Sequence, residues 1–143
     1  MGREITVEAG GSKATFELLD DLAPRSTEAL WGALPVDATL THGKLSGDAC
    51  FLDVHGGPLA GLPAAPELPE TSIYRGYMAL FPHPDANEGE LLISYGLAEY
   101  RWPTGRRYIC PVARVTDADA GFFETLRGTH AHGSTSVQLR RKG

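Results

Sequence analysis

Apolar and polar residues alternate in short runs along most of this chain, and glycine or proline closes almost every run. A period of two over four to eight residues builds half-buried strands, and frequent tight breaks favour antiparallel pairing of neighbours. Ile5 and Val7 alternate with polar residues, and after Gly10 and Gly11 the alternation resumes at Ala14, Phe16 and Leu18. Paired glycines supply the positive φ of a tight hairpin turn, so the chain opens with a hairpin. Ala38 and Leu40 alternate before a polar connection over 42–48, and Ala49, Cys50, Phe51 and Leu52 then form an unbroken apolar run. Such a run suits a strand covered on both faces. Further strands are expected over 74–81, 91–95 and 108–115, with Ala98, Tyr100 and Trp102 alternating against Glu99 and Arg101, and a last strand carries Val137 and Leu139.

Two segments break the pattern. Pro24 stands where a helix favours its first residue, and Thr27, Leu30, Trp31 and Leu34 follow at helical spacing up to Pro35. Asp117 or Asp119 is placed to cap a second short helix with Phe122, Phe123 and Leu126 inward, and Gly128 is placed to end it. Eight or nine strands with two short helices make a mainly β chain, a closed antiparallel barrel with helices plugging its ends, in a single domain over 1–143. At 143 residues such a domain buries a core without metal or disulfide staples.

Composition narrows the function classes. No run of the chain is long and apolar enough to cross a membrane, and residues 1–9 lack the apolar core of a signal peptide, so a cytoplasmic protein without membrane partners is expected. Cys50 and Cys110 each lie in apolar runs, which fits buried thiols rather than a disulfide. A net charge of −5 argues against a nucleic-acid partner. Arg140, Arg141 and Lys142 read as a solvated tail. No phosphate loop or nucleotide fingerprint occurs, so no cofactor is expected. The stretch 56–69, with Pro58, Pro63, Pro66 and Pro69, reads as a long surface loop.

The run ATFELLDDLAPRSTEAL, from Ala14 to Leu30, resembles the opening of cyclophilins, in which a strand and an acidic turn lead through alanine, proline, a basic residue and threonine into the first helix. The segment from Tyr108 to Thr116, the short helix and the final strand resemble the cyclophilin ending. The whole is similar to the compact bacterial and archaeal cyclophilin-like proteins. The resemblance implies a cyclophilin-like β-barrel with a groove on its wall. In cyclophilins the strand after the first helix carries phenylalanine, histidine and arginine in succession, the arginine serving a prolyl rotation with a barrier of about 20 kcal/mol. Here the run reads Thr39, Leu40, Thr41, His42, Gly43, Lys44. If His42 holds the histidine place, glycine holds the arginine place, and Lys44 lacks the planar fork of a guanidinium. Ordinary prolyl isomerase activity is therefore not expected, unless Arg75 or Arg101 substitutes.

The site expected from these residues combines His42, Lys44 and Ser46 of one loop with Tyr74, Arg75 and Tyr100 of neighbouring strands, binding a small molecule or a short peptide. Two rivals stand beside it: an enzyme, either a residual isomerase or a hydrolase of amide or urea-like substrates, and a homo-oligomeric subunit whose long proline-rich loop and exposed barrel edge contact other protomers. His42, Ser46 and Asp48 include the residue types of a nucleophilic triad, but no Gly-x-Ser-x-Gly elbow accompanies them. His130 and His132, with His42, His55 or His83, include zinc-ligand types, yet their position after a helix stop favours an exposed turn, and no metal site is expected.

Overall fold

Gly10 and Gly11 take φ values of 56° and 85°, turning the chain sharply enough to set Ala9 opposite Ser12 in the expected opening hairpin. The computed structural model describes residues 2–55, 66–83, 88–103 and 105–143. Its strands are β1 (Glu4–Ala9), β2 (Ser12–Leu18), β3 (Val36–His42), β4 (Gly47–His55), β5 (Ser72–Ile73), β6 (Tyr77–His83), β7 (Glu88–Glu99), β8 (Arg101–Trp102), β9 (Gly105–Arg106), β10 (Cys110–Ala118) and β11 (Ser134–Arg141), with helices α1 (Pro24–Ala33) and α2 (Phe122–His132). The wall runs β4-β3-β11-β1-β2-β10-β6-β7, and β7 pairs back onto β4, closing eight antiparallel strands into a barrel. β5 adds to β7 outside this ring, and β8 and β9 form a separate small hairpin.

The barrel has apolar residues on two sides of part of its wall. Inside, Ile5, Val7, Phe16, Leu18, Leu40, Leu52, Val54, Leu80, Leu91 and Ile93 pack with Leu30 of α1 and with Phe122 and Leu126 of α2. Outside, Ala49, Ala79 and Leu92 pack with Ile73, Ala98, Tyr100 and Ile109, and Phe51 and Phe81 lie against them. The unbroken run at 49–52 follows from this, since Cys50 and Leu52 face the interior while Ala49 and Phe51 face the outer cluster.

Pro24 starts α1 as expected, but Ala23 offers no side-chain cap. The helix takes one from a distance, its Ser26 N–H donating to Glu67 Oε1 at 2.6 Å. That contact and the packing of Leu68 against the core dock the end of the proline-rich stretch, whose residues 56–65 lie outside the described residues. The C-terminal arginines are not a loose tail. Arg140 pairs with Asp37 at 2.6 Å, and Arg141 donates to the Trp31 carbonyl at 2.8 Å, while Arg3 and Arg141 each lie 4.9 Å from the Trp31 ring centre.

α2 differs from expectation at both ends. Asp119 does not cap it, because its carboxylate accepts the Lys13 backbone N–H at 2.9 Å. Nor does Gly128 end it: the helix continues to His132 and stops at Gly133, with φ of 91°. A mid-helix glycine costs only about 1 kcal/mol, which burial of Leu126 and Thr129 on either side outweighs. α2 touches β1, β2, β3, β4, β7 and β11, the span expected of a helix across one mouth of the barrel. Among the described residues, no helix is long and apolar enough to cross a membrane. Cys50 and Cys110 are free and buried.

Candidate functional site

His42 ends β3, and Lys44 and Ser46 lie in the turn that returns as β4. With Ala49 and Phe51 of β4, Glu90 and Leu92 of β7, and Tyr100, Arg101 and Pro103 from the segment that covers this face, they line a cavity of about 320 Å³ on the wall. The cover is tied to the turn. Glu99 N–H donates to the Ser46 carbonyl at 2.9 Å, and Arg101 N–H approaches Ser46 Oγ at 3.4 Å. Tyr100 is buried beside Phe81, with ring centres 4.8 Å apart. Arg101 and Arg106 both pair with Glu99, at 3.5 and 2.9 Å.

Four of the six residues expected at the site, His42, Lys44, Ser46 and Tyr100, therefore border one cavity. Tyr74 and Arg75 do not. The expected strand over 74–81 begins only at Tyr77, because Gly76, with φ of 85°, turns the chain first. Tyr74 is left exposed and borders a separate depression with Leu19, Leu22 and Pro111. Arg75 stacks its guanidinium 4.2 Å over the Phe123 ring. Arg101 is the cation that the fold delivers to the cavity instead, and alternation along β7 and its continuation is the signal that places it beside Tyr100.

His42 has a second side. It keeps the alternation of inward Leu40, so its ring turns toward the mouth closed by α2. Its Nε2 lies 2.7 Å from the Tyr95 hydroxyl, and the His130 ring meets it edge-on with centres 4.8 Å apart. Burial, and after it the neighbouring His130, holds the His42 imidazole below its ordinary pKa, with Asp48 pulling the other way. Tyr95 is itself held by the fold. The pairing of β4 with β7 shifts register between Gly47 and Ala49, so that Asp48 lies over Gly96, and a Cβ on Gly96 would come within 2.9 Å of the Asp48 Cβ. Burial raises the Tyr95 phenol, as does the nearby Asp48 carboxylate. The Arg127 guanidinium sits 5.3 Å over the Tyr95 ring. Below, Cys50 Sγ lies 3.1 Å from Thr129 Oγ1, and burial pushes its thiol up.

The triad types of the 42–48 loop are thus not assembled as a triad. His42 engages Tyr95, the Asp48 side chain lies against Gly96, and Ser46 faces the covering segment. The imidazole pair of His42 and His130 is a contact that spacing alone did not reveal, since His130, exposed as expected, lies in the last turn of α2 rather than after the helix has stopped. Among the described residues, no group of three or more His, Cys, Asp or Glu is placed to hold a metal ion. The side chains of His55, His83 and Trp102 lie outside the described residues.

A closed eight-stranded antiparallel barrel with two helices on its core is a cyclophilin-like fold. Solved structures agree in fold. McbB, in a complex with tryptophan, superposes with a TM-score of 0.71 at 23% identity over 97% of this chain, which spans only 45% of the length of McbB. A hypothetical protein of Archaeoglobus fulgidus gives 0.61 at 14% identity, over 99% of this chain and 95% of its own. A cyclophilin type peptidyl-prolyl cis-trans isomerase of Cryptosporidium parvum, in the presence of the dipeptide Ala-Pro, gives 0.56 at 15% identity over 99% of each chain. No curated protein matches. Within this fold the chain belongs to the family described as "Protein of unknown function (DUF3830)", whose pattern matches residues 5–140.

Proposed function

We propose that the outer cavity binds a small molecule or short peptide with an apolar body and an anionic end. The observation that carries this reading is that Lys44 and Arg101, the latter paired with Glu99, border together with Glu90 a recess floored by Ala49, Phe51, Leu92 and Tyr100. About 320 Å³ falls in the range of small-ligand sites, where apolar walls supply affinity and a few polar groups fix orientation. Tryptophan in McbB and Ala-Pro in the cyclophilin are ligands of that size class.

Thermal denaturation with a panel including tryptophan, Ala-Pro and small apolar carboxylates tests it. A ligand at ten times its Kd stabilises the folded state by about 1.4 kcal/mol. Lys44→Ala should weaken that ligand without lowering the melting temperature of the free protein, because Lys44 is exposed. A panel that stabilises nothing, or binding indifferent to Lys44→Ala and Arg101→Ala together, refutes the reading.

One observation favours a second reading, residual prolyl isomerisation. If His42 holds the histidine place of the cyclophilin pattern, Gly43 holds the arginine place, but Arg101 borders the same cavity as His42 and could present its guanidinium there. A proline-peptide assay showing no rate above background removes this alternative. The oligomeric rival keeps the proline-rich loop and the edge strand β5 as contact surfaces, although β4 and β7 pair within the wall, and light scattering tests it.

A further inference from the structure

The outer cavity has two unlike ends. Along β4 and β7 the pairing runs from Ala49 opposite Ser94 to Asp53 opposite Glu90, and the alternation that turns Cys50 and Leu52 inward leaves Phe51, Leu92 and Glu90 on the outer face. The Gly43 N–H donates to the Ala49 carbonyl at 2.9 Å, which sets the turn bearing Lys44 beside Ala49. Arg101 is brought to the same turn, its N–H lying 3.4 Å from Ser46 Oγ. Glu90 therefore borders one end of the cavity, while Lys44 and Arg101 rise from the other. The strand between Glu90 and Ser94 separates the two ends by roughly 14 Å, at about 3.4 Å per residue. Phe51 and Leu92 supply an apolar floor between them, with Tyr100 beside Phe81 at the Glu90 end.

Charge follows the same axis. Glu99 pairs with both Arg101 and Arg106, at 3.5 and 2.9 Å, so two guanidinium groups share one carboxylate and the cluster keeps a positive charge. The exposed Lys44 adds another. At the far end Glu90 has Asp53 directly across the strand pairing, and like charges so placed repel, which favours a cation beside them. Glu90 already interacts within the protein, but a carboxylate has about four lone-pair sites and accepts further donors. An α-amino acid carries its ammonium and carboxylate on one carbon, too close together to meet both ends. A chain of two or three residue lengths, about 7–11 Å, spans the floor, and the side chains of Glu90 and Lys44 reach across the remainder.

We infer that the outer cavity selects an elongated zwitterion, an ω-amino acid or a short peptide with both ends free, whose ammonium is met by Glu90 and whose carboxylate is met by Lys44 and Arg101. The inference rests on the reading of that cavity as a binding site, and adds to it the cationic end and the length of the ligand. Titration of the full chain with 6-aminohexanoate, hexanoate, hexylamine, glycine and triglycine, read at the backbone NMR signals of Ala49 and Leu92, tests it. In the wild type 6-aminohexanoate should bind at least about fivefold more tightly than hexanoate, hexylamine or glycine, which lack in turn the ammonium, the carboxylate and the length. Glu90→Gln should abolish the preference over hexanoate and keep that over hexylamine, and Lys44→Ala combined with Arg101→Ala should do the reverse. Triglycine binding more tightly than 6-aminohexanoate would support a peptide as the ligand, and the opposite order an ω-amino acid. Hexanoate or glycine binding as tightly as 6-aminohexanoate, or a preference over hexanoate that survives Glu90→Gln, overturns the inference. Hexanoate binding that Lys44→Ala weakens would in that case leave the outer-cavity reading standing. Absence of binding by every probe also overturns the inference, and the outer-cavity reading is then decided by its own panel.

Discussion

Replacing Phe122 by alanine tests whether α2 is anchored across the barrel mouth, the placement that brings His130 to His42. The Phe122 side chain is fully buried, edge-on to Phe16 with ring centres 6.2 Å apart and to Phe123 at 5.2 Å. A buried phenylalanine removes roughly 150–250 Å² from water, worth about 4–6 kcal/mol as an upper bound at ~25 cal/mol per Å². Mutational experience for such truncations is about 3–5 kcal/mol, which we take for Phe122→Ala. For a domain of this size the melting temperature should drop by roughly 10–15 °C. Phe123, one residue on, is only partly buried beneath Arg75, and its truncation should cost about 1–2 kcal/mol. Guanidinium unfolding followed by circular dichroism measures both, provided the slopes match the wild type. If Phe122→Ala costs under about 1 kcal/mol, or Phe123→Ala costs as much as Phe122→Ala, the anchoring of α2 is refuted.

Gly96→Ala should destabilise the fold by about 1–3 kcal/mol, because the new methyl collides with Asp48, and most of that loss should vanish when Asp48→Gly is combined with it. Independent, additive losses from the two changes would show that they do not meet. His42 should make stability depend on pH in a defined sense. Its folded pKa is lowered, so the neutral ring contributes fully above the unfolded value of about 6.5, and the contribution falls as pH drops through that value toward the folded one. Urea unfolding between pH 8 and 5 should therefore show a decline that is shallower in His42→Gln, and an identical slope in the two proteins would count against the burial of His42.

The parts of this fold legible in the sequence are those set by neighbours along the chain. Gly10 and Gly11 specify their turn because few other residues adopt two successive positive φ values, and Pro24 specifies a helix start because its ring presets φ. The run at 49–52 announced a strand covered on both faces, since water exposure on either side would disfavour four successive apolar residues. His42, Lys44 and Ser46 were within reach because one turn holds them together.

What only the tertiary structure decided depends on groups far apart in sequence. Whether Gly128 ends a helix is settled by the packing of Leu126 and Thr129, not by the glycine, and whether Tyr74 and Arg75 join the site is settled by the turn at Gly76. Tyr95 meets His42 across 53 positions, and the meeting requires both the pairing of β4 with β7 and its irregularity at Asp48. Alternation assigns each side chain a face but says nothing of which strand lies opposite. That choice is made when the barrel closes, because only then does burial select one set of partners over all others.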